Sequence, residues 1–156
     1  MEYQLNRSGD YFVVTDEAGI VMGRLSAKGR VAIGVGTDFF LLQEGSQLVA
    51  AEIRQLQGTA DDPGRVKKGQ STFLSRELGR YSLENRRFLG LGNDFFVVME
   101  GRWIVSVDKS CSGMARDLDP EMEFMKVERN RIHVRLRGRI VLYNRELEER
   151  QPWSKD

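Results

Sequence analysis

Three times the chain places an acidic residue before a run of aromatic and aliphatic side chains: Asp10-Tyr11-Phe12-Val13-Val14, Asp38-Phe39-Phe40-Leu41-Leu42 and Asp94-Phe95-Phe96-Val97-Val98. The second and third copies align without gaps from Gly34 to Gly45 and from Gly90 to Gly101, and the register continues to Leu48-Val49 against Ile104-Val105 and Glu52 against Asp108. Asp10 and Asp38 are 28 residues apart, while Asp38 and Asp94 are 56 apart, twice that spacing. A unit of one hairpin plus one connecting strand fits this period, and such periodicity constrains the architecture more than any single motif does.

Each copy has hairpin grammar. Tyr11 to Thr15 leads into Asp16-Glu17-Ala18-Gly19, after which Ile20 to Leu25 resumes the apolar run. Copies two and three turn at Glu44-Gly45-Ser46 and Glu100-Gly101-Arg102, where glycine can take the positive φ that short hairpin turns demand. Runs such as Phe39-Phe40-Leu41-Leu42 do not alternate strictly, which predicts strands covered on both sides, by a barrel's contents or a dimer contact. Residues 48–56 also match an amphipathic helix. The aligned run Trp103 to Val107 is strand-like and favours a strand for their first half.

Gly34-Val35-Gly36 and Gly90-Leu91-Gly92 predict a bend or bulge before each strand. Residues 58–70 read as a surface loop, and Ser71 to Leu78 as a short capped helix ending at Gly79. Phe124 to Glu128, Arg131 to Arg137 and Ile140 to Tyr143 read as three more strands. Asn144 to Gln151 reads as a charged helix stopped by Pro152. The expected fold is mainly β, an antiparallel barrel or sandwich of repeated hairpins (10–25, 38–53, 94–108) with one or two short helices. It occupies one domain over 1–145, with a short charged helix or tail at 146–156.

Composition narrows the function classes. With 40% hydrophobic and 30% charged residues the chain is globular in character, and a net charge of +1 gives no global pull on polyanions. Neither a signal-type apolar stretch nor a spanning run is present in the sequence, and the one cysteine suits a reducing compartment. A cytoplasmic location, with a membrane-peripheral variant, is the expectation.

Chemistry has few candidates. The single histidine, His133, alternates with apolar residues in Arg131-Ile132-His133-Val134-Arg135-Leu136-Arg137, which marks a strand face better than a catalytic base. Cys111 follows Lys109, a neighbour able to lower a thiol pKa, yet reads as incidental. One His and one Cys cannot complete a structural zinc sphere. Asp117, Asp119, Glu121 and Glu123 stand at alternate positions and could face a hard cation, but without EF-hand spacing they read as an acidic connector. Gly64 to Ser71 has Walker A glycine spacing with Gln70 in the lysine's place, and Gly34-Val35-Gly36 has Phe39 where a dinucleotide fingerprint needs its third glycine. No cofactor and no metal site is expected.

The one concentrated feature is cationic: Arg131, His133, Arg135 and Arg137 alternate along one strand, with Arg129 and Arg139 near its ends. Arginine forks suit phosphate and carboxylate oxygens, so an acidic protein surface or an anionic lipid headgroup is a fitting partner. Glu128 or the 117–123 segment could instead neutralise the stripe internally. Nucleic acid fits less well, because the aromatics do not interleave with these arginines as stacking platforms.

The stretch from Asp10 to Arg24, a strand, an acidic turn ending in Gly19 and a second apolar strand, resembles the hairpins of the tubby C-terminal-like superfamily, which includes LURP-one-related and scramblase-like proteins. The resemblance covers the hairpins, less than half the chain. It implies a closed antiparallel barrel and non-enzymatic, often membrane-associated binding. The family threads an apolar helix through its barrel, whereas the helix expected at this chain's end is charged, and no site residue is carried over. The expectation is therefore a non-enzymatic binding module engaging an anionic or protein partner. Its alternative is a structural subunit of a homo-oligomer or larger assembly.

Overall fold

The computed structural model describes residues 2–53, 74–112, 114–117 and 122–150. Among them the chain forms strands β1 (Gln4–Ser8), β2 (Tyr11–Thr15), β3 (Val21–Ser26), β4 (Arg30–Val35), β5 (Phe39–Glu44), β6 (Gln47–Glu52), β7 (Glu77–Ser82) and β8 (Arg86–Leu91). These are followed by β9 (Phe95–Glu100), β10 (Trp103–Asp108), β11 (Met114–Asp117), β12 (Met122–Glu128), β13 (Arg131–Leu136), β14 (Arg139–Tyr143) and β15 (Glu149–Arg150). They build four antiparallel sheets in simple sequential order, β1-β2-β3, β4-β5-β6-β7, β8-β9-β10-β11 and β12-β13-β14-β15, none closed on itself. Within each compact unit two sheets pack face to face in a sandwich-like arrangement, and no sheet of the described residues closes into a barrel.

No described residue is helical. The two expected helices are corrected accordingly. Glu77 and Leu78 open β7, while residues 71–73 and the 58–70 loop lie outside the described residues. At the C-terminal end, Asn144 accepts hydrogen bonds at Oδ1 from the backbone N–H groups of Glu146 (3.0 Å) and Glu148 (2.9 Å). Leu147 takes a φ of 59° in that turn, and the chain returns as β15 beside β14. The asparagine caps a turn, and a left-handed residue three positions later stops a helix from propagating.

The chain divides into two compact units, Met1–Arg80 and Tyr81–Asp156. The first holds two copies of the repeat and the second holds one, and the 56-residue offset between the second and third copies is kept in matching hydrogen bonds. The Arg30 Nε donates to Glu44 (3.0 Å) while its Nη1 donates to the Ser26 carbonyl (3.3 Å). In the second unit the Arg86 Nε donates to Glu100 (3.2 Å) and its Nη1 to the Ser82 carbonyl (3.0 Å). The Gly36 N–H donates to the Phe39 carbonyl and the Gly92 N–H to the Phe95 carbonyl, both at 2.8 Å. The two-residue turns place Gly45 at φ 58° and Gly101 at φ 61°, conformations a side chain would penalise.

Pairing slips at the same place in both copies, between Ala32 and Gly34 on β4 and between Phe88 and Gly90 on β8, leaving one extra residue. These are the bulges that the paired glycines predict.

The first unit packs β1-β2-β3 on one face of the β4-β5-β6 meander. Phe12, Val14, Met22 and Leu25 meet Phe40, Leu42, Val49 and Ala51. Phe39, Leu41, Leu48 and Ala50, which alternation places on the opposite face, are also fully buried. The second unit packs β12-β13-β14 on the β8-β9-β10 meander, with Ile132, Val134 and Val141 against Phe95, Val97 and Ile104. Phe96, Val98, Val105 and Val107, on the other face, are likewise at 0% exposure. Burial on both faces explains the unbroken apolar runs. Each such side chain contributes about 1.5–3 kcal/mol on leaving water.

Candidate functional site

The arginine strand is β13, the second strand of the last sheet. Ile132 and Val134 are fully buried and fix its inner face, so Arg131, His133 and Arg135 point outward. Directly opposed residues in antiparallel strands share a face, which gives the outer surface its composition. One row runs Glu123, Arg135, Ile140, a second runs Lys126, His133, Leu142, Arg150, and a third pairs Glu128 with Arg131.

Of the six cationic positions expected to act together, three share this face. Arg129 sits in the β12–β13 turn at φ 56° and Arg137 in the β13–β14 turn at φ 52°. These turns lie at opposite ends of β13, roughly 25 Å apart at the usual strand rise. Arg139 pairs with Leu136, which packs against the inner core, so its register places it off the outer face, at the exposed margin of the sheet. Two consecutive left-handed residues, Arg137 and Gly138 (φ 79°), form the tight turn that hairpin twist favours.

Carboxylates interleave with the cations. Lys126 Nζ lies 3.2 Å and His133 Nε2 3.7 Å from Glu128 Oε2, while Arg135 Nη1 stands 4.0 Å from Glu123 Oε2. The Glu128 carboxyl is held below the usual range, chiefly by its hydrogen bond from Lys126. Burial, followed by the nearby Lys126 charge, pushes His133 below its ordinary value in spite of Glu128, so the neutral ring is favoured. Lys126 was not legible as part of this face. A bulge between Phe124 and Lys126 shifts the register, so Phe124 faces the core against Val134 while Lys126 stands opposite His133 on the outside.

The two ends of the face differ. His133 is 20% exposed and shares Glu128 with Lys126, whereas Arg135 is 51% exposed and reaches a carboxylate that is itself 71% exposed. A pair so exposed and so far apart contributes about 0–1 kcal/mol. Beside Arg135, Ile140 leaves 61% of its surface in water.

Cys111 occupies a different environment from the one its lysine neighbour suggests. It sits at φ 64° in a turn organised by Asp108, which accepts from Ser110 N–H (3.0 Å) and Ser112 N–H (3.3 Å). Burial first, and the Asp108 charge second, push its thiol up to about 11, which disfavours the nucleophilic thiolate. Among the described residues no group of three or more His, Cys, Asp or Glu side chains is placed to hold a metal ion. Asp117 and Glu123 lie on β11 and β12, and residues 118–121 between them lie outside the described residues. No described helix is long and apolar enough to cross a membrane. No family model matches the chain, and no curated protein or solved structure matches it.

Proposed function

We propose that this chain is a non-enzymatic binding module that engages an anionic partner surface through the outer face of the β12–β15 sheet. The observation that carries the reading is the state of Arg135, a half-exposed guanidinium on the outer sheet face, loosely held by Glu123 and adjoined by the exposed Arg137 turn. A guanidinium in that state loses little on exchanging its weak intramolecular partner for an external carboxylate or phosphate.

The chemistry at the other candidates supports binding over catalysis. His133 has Lys126, Glu128 and Arg131 as its charged neighbours, and the Cys111 thiol is pushed away from its reactive form.

The test is binding of the full chain to heparin, used as a generic polyanion, over a salt series. Binding that weakens with salt and is lost in Arg135→Glu with Arg137→Glu, with the far-UV circular dichroism unchanged, supports the reading. Equal retention of the double variant and the parent chain rejects it.

A further inference from the structure

We infer that the partner surface is an acidic protein segment that carries an apolar side chain, and that it docks at the β13–β14 end of this face, with a carboxylate on Arg135 and its apolar group on Ile140. The inference rests on the proposed function and narrows its partner. Three observations converge. Ile140 is the register partner of Arg135, so guanidinium and exposed aliphatic surface lie side by side on one face. The ionic ties differ along β13: at one end Glu128 takes Lys126 at 3.2 Å with His133 3.7 Å away, while at the other the half-exposed Arg135 stands 4.0 Å from an exposed Glu123. Finally, β13 and β14 are joined by a two-residue turn closed by Arg137 and Gly138, which holds Arg135 and Ile140 on a preformed hairpin.

Glu123 and Glu128 favour protein over bilayer as the source of the negative charge. Both are exposed on the same face and would be brought against an anionic lipid surface, where like charges repel. A protein segment places its carboxylates one at a time and can leave those positions uncharged.

The experiment measures binding of the full chain to three probes: a fluorescent peptide alternating glutamate with leucine, an equally charged peptide with serine replacing leucine, and vesicles rich in phosphatidylserine. The leucine peptide is expected to bind about tenfold more tightly than the serine peptide, the share one partly buried aliphatic contact supplies. Ile140→Ser should bring that ratio close to one, Arg135→Glu should weaken both peptides, and Glu123→Gln should strengthen both by removing the competing carboxylate. Equal binding of the two peptides, abolished by Arg135→Glu, would overturn the inference and leave the anionic-surface reading standing. A preference for vesicles unaffected by Ile140→Ser would overturn it in favour of lipid. Failure of all three probes, together with unchanged heparin retention in the double arginine variant, would remove both.

Discussion

The meander from Ser26 to Glu52 and the meander from Ser82 to Asp108 make the same hydrogen bonds at the same offset and bury their apolar runs on both faces, yet each takes its covering sheet on the opposite face. In the first unit β1-β2-β3 covers Phe40 and Leu42; in the second β12-β13-β14 covers Phe95 and Val97, whose counterparts are Phe39 and Leu41. Backbone pairing and docking are thus separable. The hydrogen bonds, turns and bulges of a meander do not decide which face meets its neighbour. Small residues make the local room. A Cβ on Gly23 of β3 would stand 2.8 Å from the Phe40 ring, and one on Gly90 of β8 would stand 2.8 Å from the Val127 side chain of β12.

The difference in covering face is most exposed to mutation in the cores. Phe40→Ala and Phe95→Ala each remove a ring at or near zero exposure and should cost about 3–5 kcal/mol. Hydrogen exchange read strand by strand should show Phe40→Ala loosening β1 to β3, and Phe95→Ala loosening β12 to β14. The reverse pattern would mean that the covering faces are assigned the wrong way round.

A smaller effect is expected at the contact between β8 and β12. Gly90→Val forces its added methyl groups against Val127 and should destabilise the second unit by about 1–3 kcal/mol. Adding Val127→Ala should recover part of that loss in a thermal melt. An additive double variant would show that the two positions do not touch.

The least costly probe is acid, because the units differ in ionic ties. In the first unit Arg80 donates to Glu77 at 2.9 Å and to Glu44 at 2.6 Å, while Arg30 reaches both carboxylates, linking β4, β5 and β7. The hydrogen bond from Arg80 is the leading cause that holds both carboxyls below their usual range. A depressed folded-state pKa makes the native state bind fewer protons than the unfolded chain. The stabilisation is therefore present above the ordinary carboxyl range and lost as pH falls through the depressed values. Amides of β4, β5 and β7 should lose protection in that window, and Arg80→Gln should remove most of the pH dependence there. No change in the variant's acid profile would show that the network is too screened to matter.

Much of the scaffold was legible from particular residues. The 28-residue spacing pointed to a three-strand unit, the glycines at 45 and 101 marked the turns, and unbroken runs such as Phe39 to Leu42 announced two-sided burial. The helices were misread for a physical reason. Asn144 has the same preference for the N-cap of a helix as for a turn that bonds its own backbone, and a pattern of charged residues does not decide between them. At the candidate site, alternation in β13 correctly placed Arg131, His133 and Arg135 opposite Ile132 and Val134. What alternation could not give was the neighbouring strands. Ile140 beside Arg135 depends on the turn at Arg137-Gly138, and Lys126 beside His133 depends on a bulge.

The bulge in β4 breaks the code by which strands are usually read. Counting by twos from Ala32 leads to Gly34, yet Ala32 pairs with Leu42 and Gly34 with Leu41, neighbours whose side chains point to opposite faces. The extra residue, Ile33, shifts the frame by one, much as an inserted letter shifts the meaning of everything after it. It is Val35, paired with Phe40, that reaches the first unit's core. A length change of one residue in this strand would therefore act on the side chains downstream of it, including those whose own identity is unaltered.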